Sequence, residues 1–102
     1  MKLTIKDRII LQTILPRQGK IIEMQTVSGI IDSIKFTPDE IHEFELKDTE
    51  KGTVWNANKS KDIEISFLPE QLAVIKNGIM AIDEQSGVTV DMLSIINKLG
   101  IL

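Results

Sequence analysis

"FTPDEIHEFELKDTEKGTVWN", residues 36–56, decides the fold, because it holds a helix start, a change of periodicity and a turn in quick succession. Thr37 suits an N-cap and Pro38 the first helical position, while Glu40, three residues after the cap, can reach back to the Thr37 amide. Phe36, just before the cap, can staple onto Ile41. A short helix is therefore predicted from Thr37 to near Phe44. There "EFELKDT" switches to alternation, with Phe44 and Leu46 on one face, and "EKG" turns the chain into "TVWN". Helix, then hairpin, is the reading of this stretch.

Upstream, Ile5 and Ile9, Ile10 and Ile14, and Leu11 and Leu15 are each four apart, a wide apolar face that predicts a first helix over residues 4–15, ended by Pro16 and Gly19. After a loop, Val27, Ile30, Ile31 and Ile34 fall at i, i+3, i+4 and i+7 and mark a second helix. Gly29 inside it costs about 1 kcal/mol relative to Ala, which points to close helix packing there.

Downstream, "DIEISF" alternates with Ile63, Ile65 and Phe67 inward, a half-buried strand. A fourth helix starts at Pro69, with Phe67 able to staple Leu72, and carries the stripe Leu72, Ile75, Ile79 and Ile82, weakened in its middle by Asn77 and Gly78. Gly87 suits a helix terminus and Thr89 a new cap, so Leu93, Ile96 and Leu99 belong to a fifth helix that Gly100 closes. Ile101 and Leu102 remain as an apolar tail. "IKFTPDEI" at 34–41 and "ISFLPEQL" at 65–72 share a form. Two stapled helix starts explain the echo without a duplication, since a helix precedes one and a strand the other.

At 102 residues, with 42% hydrophobic and 26% charged side chains, the chain fits one globular domain, residues 1–102. Its core should be aliphatic, because Ile occurs 18 times while Phe and Trp together supply four residues and Tyr none. The absence of Cys removes disulfides, a thiolate nucleophile and cysteine metal sites. Lys6, Asp7 and Arg8 interrupt the apolar stretch a signal peptide needs, and no run approaches a membrane span. A cytoplasmic location, with no membrane partner, is the expectation.

Little catalytic chemistry is on offer. His42, in "DEIHEFE", has no second His at zinc-motif spacing and reads as a surface residue. Asp39/Glu40 and Asp83/Glu84 are adjacent pairs, splayed about 100° apart on a helix. The six glycines never cluster into a phosphate loop. No catalytic, cofactor-binding or metal-binding residue is predicted, and the expectation is a protein that is not an enzyme.

Charge is segregated along the chain. Residues 1–20 carry five basic side chains against one acid, residues 21–50 two against eight, and residues 51–61 three against none. Such blocks can steer asymmetric association, and they nominate Lys6, Arg8, Arg17, Lys20, Lys51, Lys59 and Lys61 as partner-contacting residues. Three helices followed by a hairpin is also the element order of a winged helix. Against nucleic-acid binding, the third helix carries Asp39, Glu40, Glu43 and Glu45 with no Lys or Arg, and would meet phosphates with repulsion. "KGTVWNANKSKD", residues 51–62, offers one Trp rather than a stacking platform. Trp55 is expected at the core rim of a hairpin whose lysines shield an edge strand.

Arg8-Ile9, Leu11, "ILP" at 14–16 with Gly19, "FTPDEI" at 36–41 and "VWN" at 54–56 resemble a family of small uncharacterised proteins from bacterial and phage genomes. The resemblance covers most of the chain in packing and turn residues, and implies a stand-alone accessory protein without carrying over any residue's role. The expected fold is α+β, five helices with a small antiparallel sheet of two or three strands. The expected function is a non-enzymatic, cytoplasmic protein-interaction or accessory protein, homodimeric and binding another protein or itself. The alternative is a winged-helix-like DNA-binding regulator.

Overall fold

The computed structural model describes residues 1–100, and the α+β expectation with five helices holds. Ile101 and Leu102, the expected apolar tail, lie outside the described residues. In chain order come β1 (Lys2–Leu3), α1 (Ile5–Ile14), α2 (Ile21–Ile34), α3 (Pro38–Glu43), β2 (Lys47–Thr49), β3 (Gly52–Val54), β4 (Ile63–Glu64), α4 (Pro69–Glu84) and α5 (Leu93–Leu99). Single 3-10 turns occupy Ala57–Lys59 and Val90–Met92.

The strands form two separate antiparallel pairs. β2 and β3 make the hairpin read from the sequence, with Lys47 opposite Val54 and Thr49 opposite Gly52. Gly52 sits at φ +118° with open space around the missing Cβ, so the turn needs its backbone freedom and not its small size. β4 instead pairs with β1, Lys2 opposite Glu64 and Leu3 opposite Ile63, and the bond from the Ile65 amide to the Met1 carbonyl (2.9 Å) extends the ladder. Two residues of strand at position 2 carry no periodic signal, which is why β1 is silent in the sequence.

The core is aliphatic, as the Ile count suggests. Leu3, Leu11, Ile14, Leu15, Val27, Ile30, Ile34, Ile75, Ile79, Ile95, Ile96 and Leu99 form one buried cluster, with Ile63, Ile65, Phe67 and Leu72 packed on its margin. α1, α2, α4, α5 and the β1–β4 pair all contribute to it, whereas α3 and the hairpin contribute nothing. In α5 the 3-10 turn before the helix shifts the phase: Ile95 is buried beside Ile96 and Leu99, and Leu93, expected inward, is exposed.

Helix ends follow local chemistry. α1 opens with a capping box, the Asp7 amide donating to Thr4 Oγ1 and the Thr4 amide to Asp7 Oδ2, each 3.1 Å. α3 opens with the box expected of Thr37 and Glu40, the Glu40 amide donating to Thr37 Oγ1 (3.1 Å) and the Thr37 amide to Glu40 Oε1 (3.0 Å). Gln71 Oε1 accepts from the Leu68 amide (2.9 Å) at the start of α4, so the echoed segments share the return half of the box, while Leu68 has no oxygen to supply the other half. Both α3 and α4 end in a left-handed residue that is not glycine, Glu45 and Ser86, each at φ 56°. The Leu46 amide donates to the Ile41 carbonyl and the Gly87 amide to that of Ile82, the six-to-one bond of a Schellman ending. Gly87, expected at a helix terminus, therefore stands one residue past the left-handed position. Thr37→Ala should cost about 1 kcal/mol of stability in urea melts, because one first-turn amide of α3 loses its acceptor.

α2 starts at Ile21, well before the Val27 that opens its core stripe. Lys20 at its N-cap makes no side-chain bond, and Ile21 and Ile22 are each 79% exposed.

Candidate functional site

α3, the hairpin and the following 3-10 turn form a lobe that stands off the main core and holds three of the four aromatic residues, Phe36, Phe44 and Trp55. Phe44, 2% exposed, is its buried apolar anchor, and one buried cation on α1 fastens it to the main helices. Arg8, on α1, is 2% exposed; its Nε–H donates to the Ile34 carbonyl (3.0 Å) and its Nη2–H to the Lys35 carbonyl (2.9 Å), the free carbonyls at the C-terminus of α2. The same guanidinium grips Glu40 through both carboxylate oxygens, at 2.6 and 2.9 Å, and lies 4.1 Å from the centre of the Phe36 ring. Arg8 thus joins α1, the end of α2 and the capping box of α3. Arg8, expected among the partner-contacting residues, is buried, and its guanidinium is engaged by groups of its own chain.

Hydrogen bonds from Arg8 hold the Glu40 carboxyl down at about 2, against the 4.5 of a free glutamate and against the opposing effect of its partial burial. An acid whose pKa is lowered by folding stabilises the fold above its unfolded pKa, and that contribution is lost as pH falls from about 4.5 towards 2. The whole shift corresponds to about 3 kcal/mol. With a fifth of the side chain still in water, about 2 kcal/mol is the expected loss. Urea melts between pH 5 and 2 should show it for the wild type, and Glu40→Gln should flatten the profile over that window.

A second buried charge, Asp7, stands next to Arg8 in sequence and about 100° around α1 from it. Burial pushes the Asp7 carboxyl up, but hydrogen bonds from Lys98, Thr4 and Ser94 outweigh it and leave the group below the usual aspartate range. Lys98 joins α5 to α1 through this pair.

The other nominated cations are dispersed. Lys6 pairs with Asp91 at 2.7 Å on the surface beside α5. Lys59 pairs with Glu45 (3.6 Å) and Lys61 with Glu43 (2.7 Å), so two of the three lysines of the 51–61 block lie on the acidic end of α3. Arg17 and Lys20 are exposed in the α1–α2 loop, with about 12 Å of helix between Lys6 and Ile14 separating that loop from Lys6. Lys51 is exposed at the hairpin turn. The segregated charges are used largely within the chain, acid block against basic block, and the seven residues do not assemble into one cationic face.

What α3 and the hairpin do create is an open groove of about 820 Å³. Ile41, Leu46, Val54 and Trp55 supply its apolar surface, with His42 and Lys47 at its edge. Trp55 is half-buried in this groove and not at the rim of the main core, where it was expected, while Ile41 and Val54 are close to half exposed. Asn56 Nδ2 donates to Glu45 Oε2 (2.7 Å), and the Asn56 amide to the Phe44 carbonyl (2.9 Å), so the chain after β3 is fixed against the end of α3 and Trp55 is held in place. The sequence does not show the groove, because a staple contact for Ile41 and a place at the border of a strand for Val54 leave open how much of each side chain stays in water.

Among the described residues no group of three His, Asp or Glu side chains comes together as a metal site, and no helix is long and apolar enough to cross a membrane. Comparison with family models, with curated proteins and with solved structures finds no match to this chain.

Proposed function

We propose that this protein is a non-enzymatic interaction protein that binds another protein through the Trp55 groove and pairs with a second copy of itself. The observation that supports this most is the groove: an aromatic and three aliphatic side chains, fixed in position by backbone bonds, are left partly in water on a lobe the main core does not need. Burying such a surface releases about 25 cal/mol per Å² of apolar area, and a rigid half-exposed Trp is a favoured anchor for a partner. The winged-helix order of three helices and a hairpin supports the rival reading, a DNA-binding regulator. Its recognition element would be the six-residue α3, whose exposed Asp39 and Glu43 repel phosphate, and Lys59 and Lys61 are already paired with this chain's own acids.

The test compares proteins retained from host lysate by the wild type and by Val54→Asp/Trp55→Ala, alongside a gel shift on nonspecific DNA. A protein retained by the wild type and lost with the variant, without a shift, is the expected result. A salt-sensitive shift that survives in the variant, with nothing retained selectively, would transfer the function to nucleic acid.

A further inference from the structure

The Trp55 groove has a sign. Besides His42, the charged side chains that line it are Lys47, Lys59 and Glu45, two cations against one acid. The charge of Glu45 is already met: Asn56 Nδ2 donates to it at 2.7 Å, Lys59 stands 3.6 Å away, and together with the field of Lys47 they hold its carboxyl below the usual glutamate range. Asp39 and Glu43, the exposed acids of α3, do not line the groove, and Glu43 is paired with Lys61 at 2.7 Å. Lys47 is exposed and forms no ion pair among the described residues.

The unmatched cation stands beside the apolar surface. Lys47 lies directly opposite Val54 in the hairpin, so the two side chains share one face, and Trp55 follows Val54 in the chain. The facing wall is α3, where Pro38, Ile41, His42 and Glu45 fall at i, i+3, i+4 and i+7 on one side of the helix. The Trp55 indole N–H meets no acceptor among the described residues, and no buried side-chain polar atom there lacks one, so this donor faces water. Apolar surface, an ammonium without a counter-charge and a spare N–H donor ask for a ligand that brings an apolar side chain with an anionic acceptor next to it. Nucleic acid supplies anions but needs a run of cations along its backbone, and Lys59 and Lys61 of this lobe are held by Glu45 and Glu43. We propose that the groove takes a short acidic segment of a partner protein, with a Leu, Ile or Phe side chain seated against Ile41, Val54 and Trp55 and an Asp or Glu beside it on Lys47. This rests on the groove reading above and adds the chemistry of the partner. The apolar contact supplies most of the affinity, and the carboxylate fixes the orientation and selects against basic segments.

A phage-displayed library of random dodecapeptides, panned on the wild-type protein, tests this without a partner in hand. The enriched sequences should join a bulky apolar residue to Asp or Glu within a few positions. Made as labelled synthetic peptides and followed by fluorescence anisotropy, they should bind Lys47→Gln about threefold and Lys47→Glu about tenfold more weakly than the wild type, the effect of neutralising and then reversing one exposed charge. Lys47 is exposed, so these variants leave the packing intact, which a thermal melt checks. Val54→Asp/Trp55→Ala should abolish binding. Peptides that are lost with Val54→Asp/Trp55→Ala but carry no acid, or that bind Lys47→Glu as well as the wild type, would overturn the acidic partner and leave the groove as a docking site. Peptides indifferent to Val54→Asp/Trp55→Ala, or no enrichment at all, would remove the groove reading together with the inference built on it.

Discussion

Arg8→Ala should lower the unfolding free energy by about 3 kcal/mol or more, the range found when one partner of a buried ion pair is removed. Arg8 is the shared donor of the Ile34 and Lys35 carbonyls and of Glu40, and all three lose it at once. The loss should be uneven across the molecule. The lobe of α3 and the hairpin adds no residue to the aliphatic cluster, so without Arg8 it should detach first, moving Trp55 emission at lower urea than the far-UV signal of the main helices. Arg8→Lys should recover only part of the stability, since an ammonium cannot present the forked geometry that reaches both carboxylate oxygens and two carbonyls. Coincident transitions with a loss under 1 kcal/mol would show that the lobe is held some other way.

Gly78→Leu should cost about 2–3 kcal/mol, the effect of forcing volume into a packed contact. A Cβ at Gly78 would stand 3.0 Å from the Ile14 carbonyl oxygen, a backbone atom at the C-terminal end of α1 that cannot step aside without moving the helix. Gly29→Ala should instead be neutral or stabilise by up to about 1 kcal/mol, because a Cβ there meets only the end of the flexible Gln71 side chain at 3.4 Å. The sequence assigns the tight helix approach to Gly29 and mere weakness to Gly78; the structure exchanges them. Thermal or urea melts of the two variants read the difference, and equal effects would contradict the α1–α4 contact.

Features legible in the sequence are those set by neighbours a few residues apart. Thr37, Pro38 and Glu40 announce α3 because a capping box is closed within four residues, and Pro69 does the same for α4. Ile63, Ile65 and Phe67 point inward because alternation is local. What stayed hidden depends on distant chain. β1 exists only because β4, sixty residues on, supplies its partner. α2 begins without a capping side chain at Lys20, so nothing marks its first turns. The charge of Arg8 suggests a surface residue, yet its position, three after Ile5 and three before Leu11, puts it on the buried stripe of α1. The spacing was the better guide, and the acid that makes such burial tolerable, Glu40, could be paired with it only in three dimensions. The Trp55 groove was half legible: its residues were named, but their exposure depends on the lobe standing off the core.

The proposed function has this protein associate through apolar surface and not through charge. Sedimentation equilibrium of the wild type over a wide concentration range, at about 0.1 M and about 1 M salt, tests it directly, because the screening length shrinks from about 10 to about 3 Å between them. A concentration-dependent dimer whose affinity is unchanged or strengthened at high salt is the predicted result. A dimer that dissolves as salt rises, or a monomer at every concentration, would contradict it.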